Sequence, residues 1–381
     1  MRIVYVGAFR LPNLDAASSR ILNNAKGMRE AGHSVNFISW GGKYSEDDLC
    51  PDEKYRTQGF EYIITDELDS DGGFFSKLNQ RIHRGEKSLA ILKGMQEKPD
   101  VIILYNAEFS WTLTMLRFCH KYNIRLVHDI TEWFANNEIH ITDIIPNYLN
   151  MRFLQKRVPN KILISSLLNN CYSTSHNIVV PPLCDKDEEK WSLQTTDERT
   201  EKFEGITFIY AGSPLKKDCL HVIINALNIV LEENDNVRFL ILGVDKEDYL
   251  KGYGSLLNTK DLNPNIIFLG RVSQNLVPAY YKMADFMMLI REPSRKNNAG
   301  FPTKVAESMI SGVPVITNAT SDLKKYVVDF ETGFIVKGYN ERALVECLKN
   351  EVLKLNREEI VAMKRKTMEK NVLFDYRTYK N

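Results

Sequence analysis

The segment GFPTKVAE, from Gly300 to Glu307, carries residue types spaced to hold a phosphorylated ligand. Proline suits a first helical position, because its missing N–H would be unpaired there and its φ is preset. The pattern therefore predicts a polar loop over Asn297 to Gly300, then a helix that begins near Phe301 and runs from Pro302 to Ser311, with Gly312 ending it. Its start leaves the N–H groups of Thr303 and Lys304 pointing into the loop. Those donors, the positive end of the helix dipole and the Lys304 ammonium form an anion site suited to phosphate. Glu307, at i+4 from Thr303, falls on the same side of the helix. Its carboxylate can accept hydrogen bonds from the hydroxyls of whatever carries the phosphate. A nucleotide sugar satisfies both requirements.

Other candidates lie where apolar runs end. Gly212 closes one such run and is followed by Ser213, Lys216, Lys217 and Asp218. A glycine there permits close backbone approach, and a lysine beside a helix start suits phosphate. The alternative is a capping Asp218 with two solvated lysines. Arg271 and Val272 follow Gly270, where backbone could receive a flat base. Gly7 either admits a ligand or makes a simple turn, and the three-glycine dinucleotide fingerprint is absent. Arg20 reads as a surface cation or as a reach towards a ligand.

His128 and Asp129 follow a run ending at Val127, with Glu132 three residues on. The histidine could donate to a sugar hydroxyl or a leaving phosphate oxygen, and a carboxylate could orient an acceptor hydroxyl. Equally, they could be a backbone-satisfied histidine and a helix cap. No metal site is expected: His120, His128 and Glu132 have no common ligand spacing, and Asp69-Ser70-Asp71 reads as a solvated loop.

These residues need two sheets to position them. A length of 381 residues exceeds what one core usually supports. Runs at Ile3–Val6, Val35–Trp40, Val101–Tyr105, Ile124–Val127, Ile162–Ile164 and Ile178–Val180 predict a first parallel sheet, while 43–73 reads as polar and irregular with an alternating piece at Tyr62–Ile64. A second series predicts strands at Thr207–Ala211, Val237–Leu242, Ile266–Leu269, Asp285–Ile290, Val313–Thr317 and Gly333–Val336, separated by helices. Between them, Asp185 to Glu204 reads as a charged linker. The aromatic tail Val372 to Tyr379 has no place in the second core.

A net charge of +1 gives no reason to expect nucleic acid. Six scattered cysteines without a CxxC pair fit free thiols in a reducing cytosol. The short opening run MRIVYVGAF is a strand rather than a signal or span, so a cytoplasmic protein is expected. Any contact with the inner face of a membrane rests on scattered cations such as Lys77, Arg81, Arg84 and Lys87.

Over nearly its whole length the sequence resembles glycosyltransferase family 4, retaining enzymes of GT-B architecture. AGSPLKKD is similar to that family's phosphate loop, FLGRV to its base-facing strand end, GFPTKVAESMISGVPVI to its donor helix and VHD to its cleft histidine. The resemblance implies an α/β fold of two Rossmann-like doubly wound domains facing across a cleft. An acceptor domain would span 1–182 and a nucleotide-sugar domain 185–365, with 366–381 crossing back. Lys217 and Lys304, with Arg291, would face the diphosphate. Glu307 would hold the ribose, Gly300 and Phe301 would offer backbone to the sugar, and His128 would face it. The family's first paired carboxylate falls on Ala299 and its loop arginine on Ser213. The implied activity is metal-independent, cofactor-free transfer from a UDP-sugar to a glycan or lipid-linked acceptor in bacterial surface polysaccharide assembly. A GT-B epimerase and a non-catalytic sugar-nucleotide-binding subunit are the alternatives.

Overall fold

The computed structural model describes residues 1–380 except 13–14, 42–53, 66–82, 134–143, 173–175, 196, 201–202 and 260. Asp69-Ser70-Asp71, Lys77 and Arg81 fall outside the described residues. The chain forms two compact units, Met1–Leu183 with Tyr376–Asn381, and Cys184–Asp375. The returning segment is thus shorter than the expected 366–381, since residues 366–375 belong to the second unit.

In the first unit, β1 (Arg2–Gly7), α1 (Ala16–Glu30), β2 (Ser34–Ser39), β3 (Lys54–Thr57), β4 (Phe60–Ile64) and α2 (Glu86–Gly94) come first. Next are β5 (Val101–Tyr105), α3 (Phe109–Tyr122) and β6 (Arg125–Ile130). Then α4 (Ile144–Leu149) runs through a π-helical turn, Asn150–Leu154, into α5 (Gln155–Arg157), before β7 (Asn160–Leu163), α6 (Ser166–Cys171) and β8 (His176–Val179). The sheet order is β3-β4-β2-β1-β5-β6-β7-β8, parallel except where β3 meets β4. Strand β3 was not expected, because KYRT is a polar edge sequence without an apolar run. Alternate residues of β1 feed opposite faces, Ile3 and Tyr5 one core layer, Val4 and Val6 the other. That two-sided burial is why parallel strands read as continuous apolar runs.

The second unit contains β9 (Ile206–Ala211), α7 (Leu220–Leu231), β10 (Val237–Leu242), α8 (Lys246–Tyr253), β11 (Ile266–Gly270) and α9 (Val277–Met283). It continues with β12 (Phe286–Leu289), α10 (Arg295–Ala299), α11 (Thr303–Ile310), β13 (Val315–Asn318), β14 (Gly333–Val336), α12 (Glu341–Asn350) and α13 (Arg357–Glu369). Its order, β11-β10-β9-β12-β13-β14, is the parallel doubly wound arrangement. In such sheets ligands bind beyond the carboxyl ends of the strands where the order reverses, here between β9 and β12. The expected linker is structured: Tyr280 donates to Asp197 at 3.0 Å, and Lys282 to the carbonyl of Trp191.

Two local expectations change. The loop Asn297 to Gly300 is largely helix α10, started by Ser294, whose side chain accepts the N–H of Asn297. Pro302 sits one residue earlier in the helical frame than expected. With φ −74° and ψ 113° it is the N-cap of α11 and Thr303 is the first helical residue.

Candidate functional site

At the switch point of the second sheet, the loops after β9 and β12 bring charges together from three places in the sequence. Asp218 ends a 3₁₀ turn, Lys216–Asp218. Its Oδ1 accepts from Arg291 Nε at 3.0 Å and Nη2 at 2.7 Å; its Oδ2 accepts from Lys304 Nζ at 2.9 Å and from the Tyr210 hydroxyl at 2.7 Å. Asp218 is therefore no helix cap. Burial pushes its carboxyl up, but Lys304 and Arg291 outweigh that and hold it at about 2. One anion against two cations leaves the cluster with a net positive charge.

The backbone around this cluster is fixed. Asn318, at the end of β13, accepts the N–H of Arg291 at 2.9 Å and donates to its carbonyl at 2.6 Å. Gly212 has φ +124°, and a Cβ there would stand 2.6 Å from Lys304 Cε. Glycine is favoured by that backbone angle, and a Cβ would also have to displace the flexible end of the lysine that crosses it. Lys304 Nζ also lies 5.2 Å from the centre of the Tyr210 ring. Lys217, the lysine expected to meet phosphate, is half-buried one residue before Asp218. Ser213 is exposed in the same loop.

Along α11, Thr303 and Lys304 occupy the first turn, where backbone N–H groups have no intrahelical acceptor. Glu307 follows Lys304 by three residues, so the two share a helix side. Its carboxylate is half-buried and makes no hydrogen bond to any described residue. Burial raises its pKa above the usual carboxylate value, against the pull of Lys190 and Lys304. An unpaired carboxylate in that setting calls for hydroxyl donors. Gly300 ends α10, and the buried Phe301 ring packs against Tyr326 and Phe374 at centroid distances of 5.3 and 6.0 Å. Ala299 is fully enclosed. Arg271 is exposed and Val272 half-buried beyond β11.

The first-unit candidates are placed differently from the expectation. Strand β6 extends through Ile130, three residues beyond Val127, so His128 and Asp129 lie within a sheet covered on both faces. Both are fully buried. His128 Nε2 accepts the N–H of Ala107 at 3.2 Å, while Nδ1 is buried without a partner among the described residues. Burial, with a smaller contribution from Lys161, lowers its pKa to about 3, so the ring is neutral. It does not stand at an open strand end. Asp129 accepts from Arg20 Nε at 3.0 Å and Nη2 at 2.9 Å, from Asn24 at 3.3 Å and from the Tyr5 hydroxyl. Arg20 in turn donates to the carbonyl of Val180 at 3.0 Å. This buried pair ties α1 to the end of the first unit and is neither a surface cation nor an acceptor base. Gly7 has φ +150°, and a Cβ there would meet the Tyr105 carbonyl oxygen at 2.5 Å, so close strand approach alone requires it. Glu132 is exposed.

Asp218 is the residue that sequence reasoning missed, since it entered only as an alternative helix cap. Its partners are 73 and 86 residues away, so no local pattern signals them. A usable signal was topological: Gly212–Asp218 and Arg291 follow β9 and β12, the two strands at which the order reverses.

Among the described residues no group of three or more His, Cys, Asp or Glu side chains is placed to hold a metal ion, and no helix is long and apolar enough to cross a membrane.

Residues 194–371, within the second unit, match the family model for glycosyl transferases group 1. A capsular polysaccharide biosynthesis glycosyltransferase, CapM of Staphylococcus aureus, is 28% identical over 169 residues; the match spans 42% of this chain and 40% of that protein. Among solved structures, Anabaena HepE in complex with UDP and glucose superposes with a TM-score of 0.70 at 13% identity, over 100% of this chain and 97% of that one. Sucrose-phosphate synthase from Thermosynechococcus elongatus gives 0.69 at 14% identity, over 100% and 96%. The chain has the GT-B fold, and its second unit carries the sequence pattern of group 1 glycosyltransferases.

Proposed function

We propose that this protein is a family 4 retaining glycosyltransferase that takes a sugar from a UDP-sugar and passes it to a glycan or lipid-linked acceptor in bacterial surface polysaccharide assembly. The observation that carries the reading is α11, where Lys304 and the unpaired carboxylate of Glu307 share one helix side at the switch point of a doubly wound sheet. A nucleoside diphosphate sugar meets both: the diphosphate faces Lys304, Arg291, the N–H groups of Thr303 and Lys304 and, across the loop, Lys217. The ribose hydroxyls donate to Glu307. The base lies towards Arg271 and Val272 and the sugar towards the Gly300–Phe301 backbone. The group 1 match, the capsular relative and the UDP held by the HepE structure support this choice of donor.

Transfer with retention then proceeds by same-face displacement. The departing diphosphate helps deprotonate the acceptor hydroxyl, and the cations around Asp218 stabilise its charge without a resident metal. His128, neutral and enclosed, serves by fixing the Ala107 N–H ahead of α3. A lipid-linked acceptor is favoured by the outward face of α4 and α5, where Ile145, Tyr148 and Phe153 are exposed beside Arg152, Lys156 and Arg157. Of the four cations expected to meet a membrane, the two among the described residues are otherwise engaged: Arg84 pairs with Glu108 at 2.5 Å, and Lys87 donates to the Thr65 carbonyl at 3.0 Å.

Thermal-shift screening against UDP-, GDP- and ADP-sugars tests the donor, and titration calorimetry of Glu307→Ala tests the site. Loss of hydrogen bonds to a charged acceptor is worth about 1.5–3 kcal/mol, so UDP should bind about 10- to 100-fold more weakly while the fold is kept. Unchanged affinity means that Glu307 serves only its helix. An epimer formed from the UDP-sugar without any acceptor would move the protein to the epimerases.

A further inference from the structure

We infer that Asp218 is an internal counter-anion: it holds Lys304 and Arg291 in register while the site is empty and weakens their grip on a bound nucleoside diphosphate. The inference rests on the proposed nucleotide site. Both carboxylate oxygens are already saturated, Oδ1 by two guanidinium N–H groups and Oδ2 by an ammonium and a phenol. The Asp218 side chain is 0% exposed, so a ligand reaches its charge only through the cations around it. Those cations differ in freedom. Arg291 is 7% exposed and its backbone is pinned on both sides by Asn318, whereas Lys304 is 16% exposed on the first turn of α11. Lys304 is therefore the member a diphosphate meets most directly, and an ammonium has two further N–H donors to offer it while one stays on Asp218.

The arrangement has a consequence of definite sign. Without Asp218, two like charges would face each other unbalanced; with it, the empty site is stable, but any anion that enters shares its cations with a carboxylate already present. A group-transfer enzyme benefits, because the product nucleoside diphosphate retains the full binding charge of the donor and must leave. Asp218 thus sets residence time, and Tyr210, which donates to the same Oδ2 as Lys304, tempers how much negative charge the lysine feels.

The test is UDP binding by titration calorimetry to the full chain. Asp218→Asn keeps the shape and removes the charge. Our expectation is UDP binding at least tenfold tighter, with a steeper salt dependence, and a kcat that falls together with the donor KM. A scaffold role predicts the opposite sign, so equal or weaker binding by a folded variant overturns the inference. If Asp218→Asn does not fold, Tyr210→Phe decides. It keeps the carboxylate and the ring but removes one donor from Oδ2, so UDP should bind about threefold more weakly; unchanged or tighter binding overturns the inference. Wild-type protein that binds no UDP, GDP or ADP sinks the nucleotide reading itself and this inference with it, whereas wild-type binding with variants of the wrong sign sinks this inference alone.

Discussion

Glu307, the residue proposed to hold the ribose, costs the protein stability while it has no partner. Its pKa is raised chiefly by burial, so folding favours the protonated form. A carboxyl raised in the folded state contributes stability at pH values below its unfolded pKa and loses that contribution as pH rises through the folded one. At neutral pH the free protein therefore carries an unfavourable charge, which ribose hydroxyls would relieve. Glu307→Gln should melt higher than wild type at pH 7, by about 2 °C for each ~1 kcal/mol recovered, with the difference vanishing towards pH 4. It should also lose most of the shift that UDP gives wild type. Differential scanning fluorimetry across pH with and without UDP checks both, and a lower melting point at pH 7 would mean that the charge is already compensated. Asp218 has the other sign: its depressed pKa means that its stabilising charge is present at neutral pH and lost as pH falls towards about 2. The difference between these carboxylates lies in partners, two cations for one and none in hydrogen-bond contact for the other.

The elements make α4, its π-helical turn and α5 the place to look for a lipid surface. From Ile144 to Arg157 there is no acidic residue, while Ile145 is 71%, Tyr148 56% and Phe153 52% exposed. The opposite face, with Met151 and Leu154, is buried. Outward aromatic and aliphatic side chains interleaved with cations match an anionic bilayer surface. Each cation near such a surface is worth about 1 kcal/mol, so Lys156→Ala with Arg157→Ala should lower partitioning onto anionic vesicles by about 30-fold. Vesicle co-sedimentation reads this, and equal binding of wild type and variant would exclude the face. The outward face of these helices is not legible in the sequence, because exposure depends on which side the sheet covers. The same limit acted on β6. LVHDI continues an apolar strand through two polar residues, and a histidine and an aspartate there imitate a strand end until the neighbouring strands and α1 close over them. By contrast the inner strands of both sheets are readable, since burial on two faces writes itself as unbroken apolar runs such as VIIL and FLIL. The start of α11 was readable too, one residue out of frame, because its signal, Pro302 followed by Thr303 and Lys304, lies within a single turn.

At the scale of the whole chain, the last residues divide their allegiance between the two units. Phe374 is fully buried in the second unit, 4.8 Å from the Tyr326 ring centre and 6.0 Å from that of Phe301, directly behind the site helix. Two residues later Tyr376 belongs to the first core, with its hydroxyl donating to Glu30 at 2.7 Å. Sequence alone gives an aromatic tail without an owner, and only the contacts assign each ring. The division separates two mutations at neighbouring positions. Removing a buried aromatic side chain costs about 3–5 kcal/mol. For Phe374→Ala that loss should fall on the second unit: amides of α11 exchange faster, Phe301 loses its support and UDP binds more weakly. For Tyr376→Ala it should fall on α1, β1 and β2, with UDP affinity unchanged, because every residue assigned to the nucleotide lies between Gly212 and Glu307. Hydrogen exchange resolved by segment, alongside UDP titration, distinguishes them. If both variants loosened the same segments, the chain's end would be joining one continuous core instead of completing two.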